Sequence, residues 1–364
     1  MKIANVETVT LSIPFDHGGP PTGFGGTEWR NLDTLLVRVE TDEGHVGWGE
    51  AFGFNAIPST RAALETMIAP LVIGRDAGDI AALHAELQKV LHIFGRYGQT
   101  IYALSGLDIA LWDIAGKAAG MPLHRLLGGA QRMSLEAYAS LLRYFEPDLV
   151  GERSADAAAQ GYGWVKLHER MEPAVAAARA AIPAEAKLMV DTNCPWTLAE
   201  ALAKAESFEP HDVHWLEEPM WPPENFAGLA ELRGLFDMGI AAGENLCTAW
   251  QFQAMLQADA VDVAQPSVTK VGGVTEMRKV EALCNLHNVR YVPHSPYFGP
   301  GFLATLHLLA VADNEEPVER FFGVHEAEIF GDLCKVEDGR IAVPDGPGLG
   351  RDPSPEVLRD YAVA

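Results

Sequence analysis

The sequence has few basic residues and no long apolar run. Lys and Arg number 27 against 50 Asp and Glu, which gives a formal net charge of −23. Nucleic acids and anionic membranes bind basic surfaces, so this balance argues against both as partners. An anionic small molecule stays compatible with it, because a buried cation can reverse the local electrostatic field. No stretch approaches the roughly 20 consecutive apolar residues that a membrane-spanning helix requires.

Cysteine is also scarce. The four cysteines are widely spaced and form no CxxC pair: Cys194, Cys247, Cys284 and Cys334. This spacing favours free thiols over a disulfide framework or a structural zinc site. The N-terminus lacks the basic segment and apolar core of a secretory signal. Together these features predict a cytoplasmic protein.

The first 128 residues predict a small α+β unit. Residues 34–40 and 45–50 read as strands on either side of a turn at residues 42–44, which indicates a β-hairpin. Apolar spacing near 3.6, typical of α-helices, recurs in three segments: 59–71, 80–93 and 101–119.

Residues 129–325 instead alternate short apolar strands with helical segments. The predicted strands are 136–140, 164–168, 187–191, 213–217, 240–243, 261–265, 289–293 and 318–322. Strand–helix alternation predicts a parallel sheet, and eight such strands suit a closed barrel. Residues 326–364 predict loops and short elements that return to the first domain. The expected fold is therefore an α/β barrel under an α+β capping domain, which the N-terminal region and the tail build together.

Polar residues lie at the ends of the predicted barrel strands and recur at a regular interval along the chain. They are Lys166, His168, Asp191, Glu217, Glu244, Ser267, His294 and Glu319. With one residue taken from each strand, they recur every 23 to 27 residues from Lys166 onward. The active site of such a barrel lies at the carboxyl ends of its strands, so one pocket should receive all of these side chains.

Three neighbouring strands end in the carboxylates Asp191, Glu217 and Glu244. Three converging carboxylates repel one another strongly unless a cation lies between them. Ligation by oxygen alone points to Mg²⁺, with Mn²⁺ as a substitute. Each acid alone could be a solvated side chain or a helix N-cap. All three recur at the regular interval of the strand ends, and this favours a metal site. Glu218 should face the other side of its strand and is the weaker ligand candidate.

Candidate proton-transfer groups lie on two sides of this triad. Lys166 and His168 are two residues apart on a strand, so both point to the same face. His294 comes from the opposite side of the barrel. Histidine needs little tuning of its pKa to act as a base, and a lysine that faces other cations can have its pKa lowered to the same range. Either histidine could instead be an ordinary polar loop residue.

The ordered motifs KLH, DTN, WLEEP, AGEN, KVGG and VPH resemble the mandelate racemase branch of the enolase superfamily. The resemblance covers nearly the whole chain, with HVGWGE and LSGLDIALWDIAGK near the N-terminus and VPDGPGLG in the tail. It implies a modified (β/α)7β TIM-type barrel under a capping domain. It also implies that Asp191, Glu217 and Glu244 bind Mg²⁺. The metal would hold a substrate carboxylate and stabilise the enolate that forms when the α-proton leaves.

The resemblance also assigns roles to residues around the metal ligands. Lys166 would contact the substrate carboxylate. His168 stands where many members carry a second lysine, and it would be the base for one face of the substrate. His294 would serve the other face, as a base or as the acid that protonates a departing hydroxyl. Glu319 would donate a hydrogen bond to the carboxylate, for which it must be protonated; an ordinary surface acid is the alternative.

Two further residues match the resemblance near the metal site, and Ser267 departs from the pattern of the family. Asn193 and Lys270 look like neighbours of the metal site, although Lys270 could equally be a structural ion-pair partner of a metal ligand. Ser267 stands where many members have an aspartate that orients the histidine. A serine can hydrogen-bond an imidazole but cannot raise its pKa as a carboxylate would, so His294 could be a weaker base or an acid only. With histidine at position 168, this weakens the case for a racemase with two bases.

Substrate recognition is expected from two loops, residues 17–29 and 52–57. The glycine-rich first loop would allow a lid to close and exclude water. His17, Phe24 and Trp29 could then line the pocket. A plain surface loop is the alternative.

The resemblance implies a hydro-lyase that acts on an acid sugar by removal of the α-proton and β-elimination of water, because sugar-acid dehydration is widespread among members with this ligand set. A racemase, epimerase or cycloisomerase with the same enolate is the second reading. A non-catalytic acid-sugar-binding relative and a metal-hydroxide hydrolase rank lower, and the hydrolase lacks the expected histidine-rich ligands. The expected partner is a small carboxylate molecule, and we expect a homo-oligomer.

Overall fold

The computed structural model describes residues 1–23 and 27–363. Two β-sheets, one antiparallel and one parallel and curled, organise these residues. Short 3-10 turns lie at Phe54–Ala56, His92–Phe94, Glu209–His211 and Gly331–Cys334. Within the described part of the chain, no helix combines the length and the apolar character that a bilayer crossing needs.

The antiparallel sheet forms the cap. Its main strands are β1 (Ile3–Asp16), β2 (Asn31–Thr41) and β3 (Val46–Ala51), and the β2–β3 hairpin confirms the predicted turn. The helices that follow are α1 (Ile57–Ala63), α2 (Ala69–Val72), α3 (Ile80–Val90), α4 (Gln99–Ala119) and α5 (Leu123–Leu126). A π-helical turn, Leu64–Ile68, joins α1 to α2.

Helix α4 lies directly on β3, and glycines make this approach possible. A Cβ atom on Gly49 would lie 1.9 Å from the carbonyl oxygen of Gly106, and one on Gly47 would lie 2.2 Å from that of Ala110. Because real Cβ atoms do not approach so closely, both strand positions require glycine. The glycines of the HVGWGE motif thus serve packing of the strand beneath a mostly buried helix.

The parallel sheet holds the eight strands predicted for the barrel. They are β4 (Ser134–Ser140), β5 (Trp164–Leu167), β6 (Lys187–Asp191), β7 (Val213–Glu217), β8 (Gly239–Ala242), β9 (Val263–Ala264), β10 (Arg290–Tyr291) and β11 (Val318–Phe321). The strand order is β10-β9-β8-β7-β6-β5-β4-β11, with every neighbouring pair parallel. The intervening helices are α6 (Pro147–Ala159), α7 (Glu172–Ala181), α8 (Leu198–Phe208), α9 (Phe226–Leu235), α10 (Thr248–Gln257), α11 (Val268–Val271), α12 (Gly273–His287) and α13 (Pro300–Val311).

The sheet curls until its two end strands, β10 and β11, approach each other. Ser295, just after β10, donates its N–H to the Glu319 side chain at 2.9 Å and its hydroxyl to the Glu319 carbonyl at 3.4 Å. A buried cluster fills the interior: Tyr138, Met189, Trp215, Ala241, Val263 and Val292. This apolar plug supports the polar side chains at the strand ends, as in other barrels of this type.

The tail returns to the cap, as predicted. Its elements are β12 (Val324–His325), β13 (Arg340–Ala342), α14 (Pro355–Tyr361) and β14 (Ala362–Val363). Strands β12 and β14 pair with β1, while β13 pairs with β4 of the barrel. The buried carboxylate of Asp113 on α4 accepts hydrogen bonds from Leu349 of the tail and Trp48 of β3. The tail thus fastens the cap to the barrel.

Candidate active site

The three predicted metal ligands meet at the carboxyl ends of neighbouring strands. Asp191 ends β6 and Glu217 ends β7, opposite each other in register, and Glu244 follows β8. One carboxylate oxygen from each lies within 4.8 Å of the other two. Asp191 and Glu217 are fully buried, while Glu244 borders the cavity above them. The regular repeat along the chain therefore does bring these acids together.

Lys166 lies in the middle of this acid cluster. Its Nζ is 2.7 Å from Glu319, 3.0 Å from Glu217 and 3.7 Å from Asp191. Burial acts to lower the pKa of Lys166, but the surrounding carboxylates raise it well above its ordinary value. The condition for a lowered lysine pKa is not met among the described residues, because the neighbours of Lys166 are anions rather than cations. Lys166 is also fully buried beneath the cavity floor, so it does not line the cavity itself.

His168 flanks the triad at the β6 side. Its Nδ1 donates to the carbonyl oxygen of Leu141 at 2.5 Å, since a carbonyl can only accept. Nε2 therefore faces the acids, 3.2 Å from Asp191. Burial opposes the charged form of the ring, but Asp191 outweighs it and raises the pKa of His168. This geometry leaves Nε2 as the nitrogen that can take or give a proton.

His294 flanks the triad at the β8 side, with Nε2 2.8 Å from Glu244. Its Nδ1 lies 3.0 Å from the hydroxyl of Ser267, which also contacts the hydroxyl of Tyr297 and lies 3.2 Å from the carbonyl of His294. Ser267 has one proton, and the carbonyl can only accept it. All three contacts are satisfied when Ser267 donates to the carbonyl and accepts from His294 Nδ1–H and from Tyr297. Ser267 then fixes the ring tautomer that leaves Nε2 for proton transfer.

The neighbours of Glu319 favour its carboxylate form, whereas the resemblance implies a protonated acid. Burial favours the neutral acid, but Lys166 and a further hydrogen bond from Ser140 lower the pKa of Glu319 to about 2. The backbone N–H of Ser295 binds the second oxygen. The correction has a simple cause: the expectation counted the anionic neighbours but not the lysine at 2.7 Å.

The acid cluster fits a divalent cation. Burial raises the pKa of Glu217 to about 7, and the neighbouring charge of Asp191 acts in the same direction, against Lys166. The Oδ2 of Asp191 is buried, with His168 Nε2 at 3.2 Å and Lys166 Nζ at 3.7 Å as its cationic neighbours. A hard cation would offset the burial of Glu217 and its repulsion by Asp191, and three carboxylate ligands with room for water or substrate oxygens are the chemistry that Mg²⁺ accepts. Asp191, Glu217 and Glu244 are the residues that would hold it.

The predicted supporting residues lie beside these ligands. The Asn193 N–H donates to Asp191 at 2.9 Å, and Lys270 Nζ lies 3.4 Å from Glu244 and 4.4 Å from the centre of the Phe52 ring. Glu218 is buried and borders the cavity, where Asn245 donates to it at 2.8 Å. Glu218 is thus closer to the site than its place in the sequence suggested.

A cavity of about 820 Å³ opens above the triad, between the cap and the barrel. His168, Glu244, His294 and Glu319 border its floor. Trp29 lines its wall, stacked on Phe54 with ring centres 4.9 Å apart.

Of the other two predicted loop residues, His17 does not join Trp29 in this wall. His17 lies in a neighbouring cavity, where Tyr144 donates to its carbonyl and its ring contacts the Pro20 carbonyl. Phe24 lies outside the described residues.

Ser140 and Tyr297 were not predicted as contributors to the site, and the aromatic wall was predicted only in part. Ser140 ends β4 and could have been found by extending the strand-end rule to the first strand. Tyr297 follows β10 in an irregular segment without a periodic signal, so only the fold reveals its contact with Ser267. In the wall, Phe52 and Phe54 come from the predicted loop 52–57, whereas no local sequence pattern connects the distant Phe298 to them.

Comparison with known proteins agrees with this architecture. Residues 21–128 match the mandelate racemase / muconate lactonizing enzyme N-terminal domain family, and residues 150–357 match the enolase C-terminal domain-like family. The chain is 32% identical to D-galactarolactone cycloisomerase of Agrobacterium fabrum, over 100% of this chain and 99% of that protein. It is 30% identical to arabinonate dehydratase of Saccharolobus solfataricus, over 91% of each chain.

A solved structure is similar over the full length. The 3,6-anhydro-D-galactonate cycloisomerase from Zobellia galactanivorans superposes with a TM-score of 0.87, at 29% identity and with 100% of both chains covered. Both family matches, the relatives and the fold agree with the ordered motifs of the sequence. The chain therefore belongs to the enolase superfamily, in its mandelate racemase / muconate lactonizing enzyme branch.

Proposed function

We propose that this protein is a Mg²⁺-dependent acid-sugar dehydratase, which removes the α-proton of a hydroxy-carboxylate and eliminates water from the β-position. One observation carries the proposal: three carboxylates, two of them buried and one at the cavity, converge at the strand ends, with a histidine Nε2 at each end of the cluster. Members of the superfamily bind Mg²⁺, which supports the same ion for this triad. Mn²⁺ could replace it.

Different residues have different roles in the proposed reaction. When bound, the metal supplies Lewis-acid stabilisation of negative charge on the substrate carboxylate. Lys166 and the acids around it fix the charge balance of the floor. One histidine accepts the α-proton at Nε2, and the other gives a proton to the β-hydroxyl as it leaves. The aromatic wall excludes water from the reacting carbon.

A cycloisomerase is the second candidate. It would use the same α-proton removal but close a ring or open one instead of losing water. The relative with 32% identity and the superposed structure are both cycloisomerases, whereas arabinonate dehydratase supports dehydration. The mass of the product distinguishes the two, because dehydration removes one water and cycloisomerisation leaves the mass unchanged.

The test is a panel of acid sugars incubated with the protein and Mg²⁺ in D₂O. We expect exchange of the α-proton in D₂O, read by NMR. A parallel incubation in H₂O should give a keto-acid product that is lighter than the substrate by one water, read by mass spectrometry. Glu244→Gln should lose metal binding and turnover by at least 1,000-fold, because it removes one of three ligands.

Glu231→Gln, at an exposed position on α9, is the matched control and should keep full activity. Normal Mg²⁺ dependence in Glu244→Gln would contradict the ligand assignment. A product of unchanged mass would contradict the dehydratase proposal and support the cycloisomerase.

A further inference from the structure

The segment that follows β4 holds His168 at two points. The imidazole Nδ1 donates to the carbonyl oxygen of Leu141 at 2.5 Å. The backbone carbonyl of His168 accepts a hydrogen bond from Nε of Arg143 at 2.6 Å. One bond limits the rotation of the ring and the other limits movement of the chain that carries it. The direction of Nε2 is therefore set by residues 141–143, outside the strand to which His168 is attached.

The neighbouring residue, Glu169, fixes the course of the same segment. Its carboxylate is buried and accepts the backbone N–H groups of Tyr144 at 2.6 Å and Phe145 at 3.0 Å. Phe145 has a φ of +69°, in the left-handed region that bulky residues rarely adopt. Such a conformation costs about 1–3 kcal/mol and persists only where surrounding contacts hold it. The Glu169 carboxylate supplies these contacts, so the segment after β4 is fastened to the segment after β5.

Arg143 extends this connection to the strand that carries a metal ligand. Its Nη2 donates to the side-chain oxygen of Asn193 at 3.3 Å, and the Asn193 N–H donates to Asp191 at 2.9 Å. Nε and Nη2 belong to one planar guanidinium, whose donors keep a fixed spacing. One side chain therefore ties the end of β4 to the residues that follow β5 and β6. His168 Nε2 lies 3.2 Å from Asp191 between them.

Arg143 reaches the reaction only through other residues. Its neighbours Leu142 and His168 border the cavity, whereas Arg143 is not among the described residues that do. Its acceptors, the His168 carbonyl and the Asn193 amide oxygen, are both neutral. Arg143 thus fixes geometry and does not bind substrate.

A second arginine makes a similar bond at the opposite end of β4. Arg132 is half-buried like Arg143, and it donates Nε and Nη2 to the Leu309 carbonyl at 3.3 and 3.2 Å. Burial lowers the pKa of both arginines. Leu309 belongs to α13 and does not border the cavity. Arg132 therefore has the packing role of Arg143 without a link to a proton-transfer group.

We propose that Arg143 is a positioning residue for His168, which holds Nε2 beside Asp191 where it exchanges a proton with the substrate. The proposal rests on the proposed function, because it takes His168 as one of the two proton-transfer groups. A misplacement of about 1 Å at such a group can slow a reaction by about 100-fold. Loss of the guanidinium should therefore lower kcat and leave the binding of substrate and metal almost unchanged.

Arg143→Met removes the donors and keeps much of the side-chain volume, and Arg132→Met is the matched control. On the best substrate of the acid-sugar panel, kcat of Arg143→Met should lie at least about tenfold below that of Arg132→Met. KM, and the Kd for Mg²⁺ from calorimetry, should stay within about threefold of wild type in both variants. A smaller difference in kcat overturns the proposal, because a packing role would then account for the loss. A Kd or KM that rises as much as kcat falls also overturns it, since Arg143 would then act on binding.

Arg143→Lys separates the hydrogen bond from the shape of the segment. Lysine keeps the charge and a donor for the His168 carbonyl but lacks the planar fork that also reaches Asn193. It should recover at least about threefold of the kcat that Arg143→Met loses. A lysine variant as slow as the methionine variant would assign the loss to the shape of the segment and overturn the role of the donor.

A spectroscopic measurement tests the position of the ring without turnover. In Mg²⁺-loaded protein labelled with ¹⁵N-histidine, the Nδ1–H that binds the Leu141 carbonyl should give a resolved NMR signal, identified by its loss in His168→Gln. Arg132→Met should keep this signal, and Arg143→Met should lose it to exchange with water. A signal that is absent from the wild-type protein, or kept in Arg143→Met, overturns the proposal.

The two measurements also separate this proposal from the proposed function. If no acid sugar exchanges its α-proton while the N–H signal behaves as expected, the proposed chemistry fails and the positioning of His168 stands. If substrates turn over but the two methionine variants behave alike, only the role of Arg143 fails.

Discussion

Ser267 shows how a hydroxyl can do the orienting work that a carboxylate does in many relatives. Its oxygen accepts from His294 Nδ1 and from Tyr297, while its single proton goes to the His294 carbonyl. Tyr297 is buried, and burial raises the pKa of its phenol above the ordinary value, so the hydroxyl stays a donor. Tyr297 is thus a positioning residue for His294, acting through Ser267.

Removal of this hydroxyl should slow proton transfer without weakening substrate binding. In Tyr297→Phe, Ser267 loses one partner and can turn away from the imidazole. We expect kcat to fall about tenfold, which corresponds to about 1.4 kcal/mol, while KM changes less than twofold. Steady-state kinetics on the best substrate of the panel measure both.

Tyr291→Phe is the control for this substitution. Tyr291 is fully buried, and its hydroxyl has no hydrogen-bond partner among the described residues. Its removal should leave kcat within twofold. If the two variants behave alike, Tyr297 has only a packing role.

At the scale of secondary-structure elements, Glu50 joins the cap to the barrel. It lies near the end of β3, is buried, and accepts the N–H of Gly301 at 2.8 Å at the start of α13. Burial raises the pKa of Glu50 to about 8, although the N–H groups of Gly301 and Gly299 oppose the shift. The folded protein therefore holds a proton here that the unfolded chain releases at a much lower pH.

This difference in proton binding at Glu50 determines how the stability of the fold changes with pH. Between the ordinary pKa of 4.5 and about 8, the unfolded chain binds fewer protons at Glu50 than the folded protein, so Glu50 lowers stability as pH rises. Glu50→Gln removes this dependence. The unfolding free energy of the variant relative to wild type should rise by up to about 1.4 kcal/mol per pH unit in that window and stay flat above it.

Urea unfolding at a series of pH values measures this difference. Glu185→Gln, an exposed position before β6, should show a difference from wild type that does not change with pH. A flat or falling difference for Glu50→Gln would mean that the Glu50 carboxyl is ionised in the folded protein.

At the scale of the whole molecule, the net charge of −23 means that a divalent cation can raise stability in two ways. Any salt screens repulsion across the surface, whereas a specific ion stabilises the fold only where it binds the folded state. We expect Mg²⁺ to raise the Tm beyond the effect of NaCl at the same ionic strength. At 100 times its Kd the gain is about 2.7 kcal/mol, and calorimetric melting curves measure it.

Glu244→Gln should lose this extra gain and keep the response to NaCl. An equal rise of the Tm with both salts in the wild-type protein would place the ion on the surface and contradict the triad.

Much of the fold could be predicted from the regular spacing of strands and polar residues along the sequence. The eight barrel strands and the convergence of Asp191, Glu217 and Glu244 were predictable, because a repeated strand–helix unit returns each strand end to the same rim. The protonation states were not predictable. The pKa of Lys166 and that of Glu319 depend on a contact of 2.7 Å between residues 153 positions apart (319 − 166). The position of His17 away from the cavity also depends on tertiary packing, here against Tyr144.

The floor of the cavity belongs to the barrel, whereas much of its wall comes from Trp29, from Leu32 of β2 and from residues 52–56, which follow β3. Substitutions in the cap can therefore reshape the wall while the side chains at the floor stay in place. A replaced N-terminal segment would still have to preserve the Gly49–Gly106 approach and the Glu50 contact, because the first packs β3 against α4 and the second fastens the cap to the barrel.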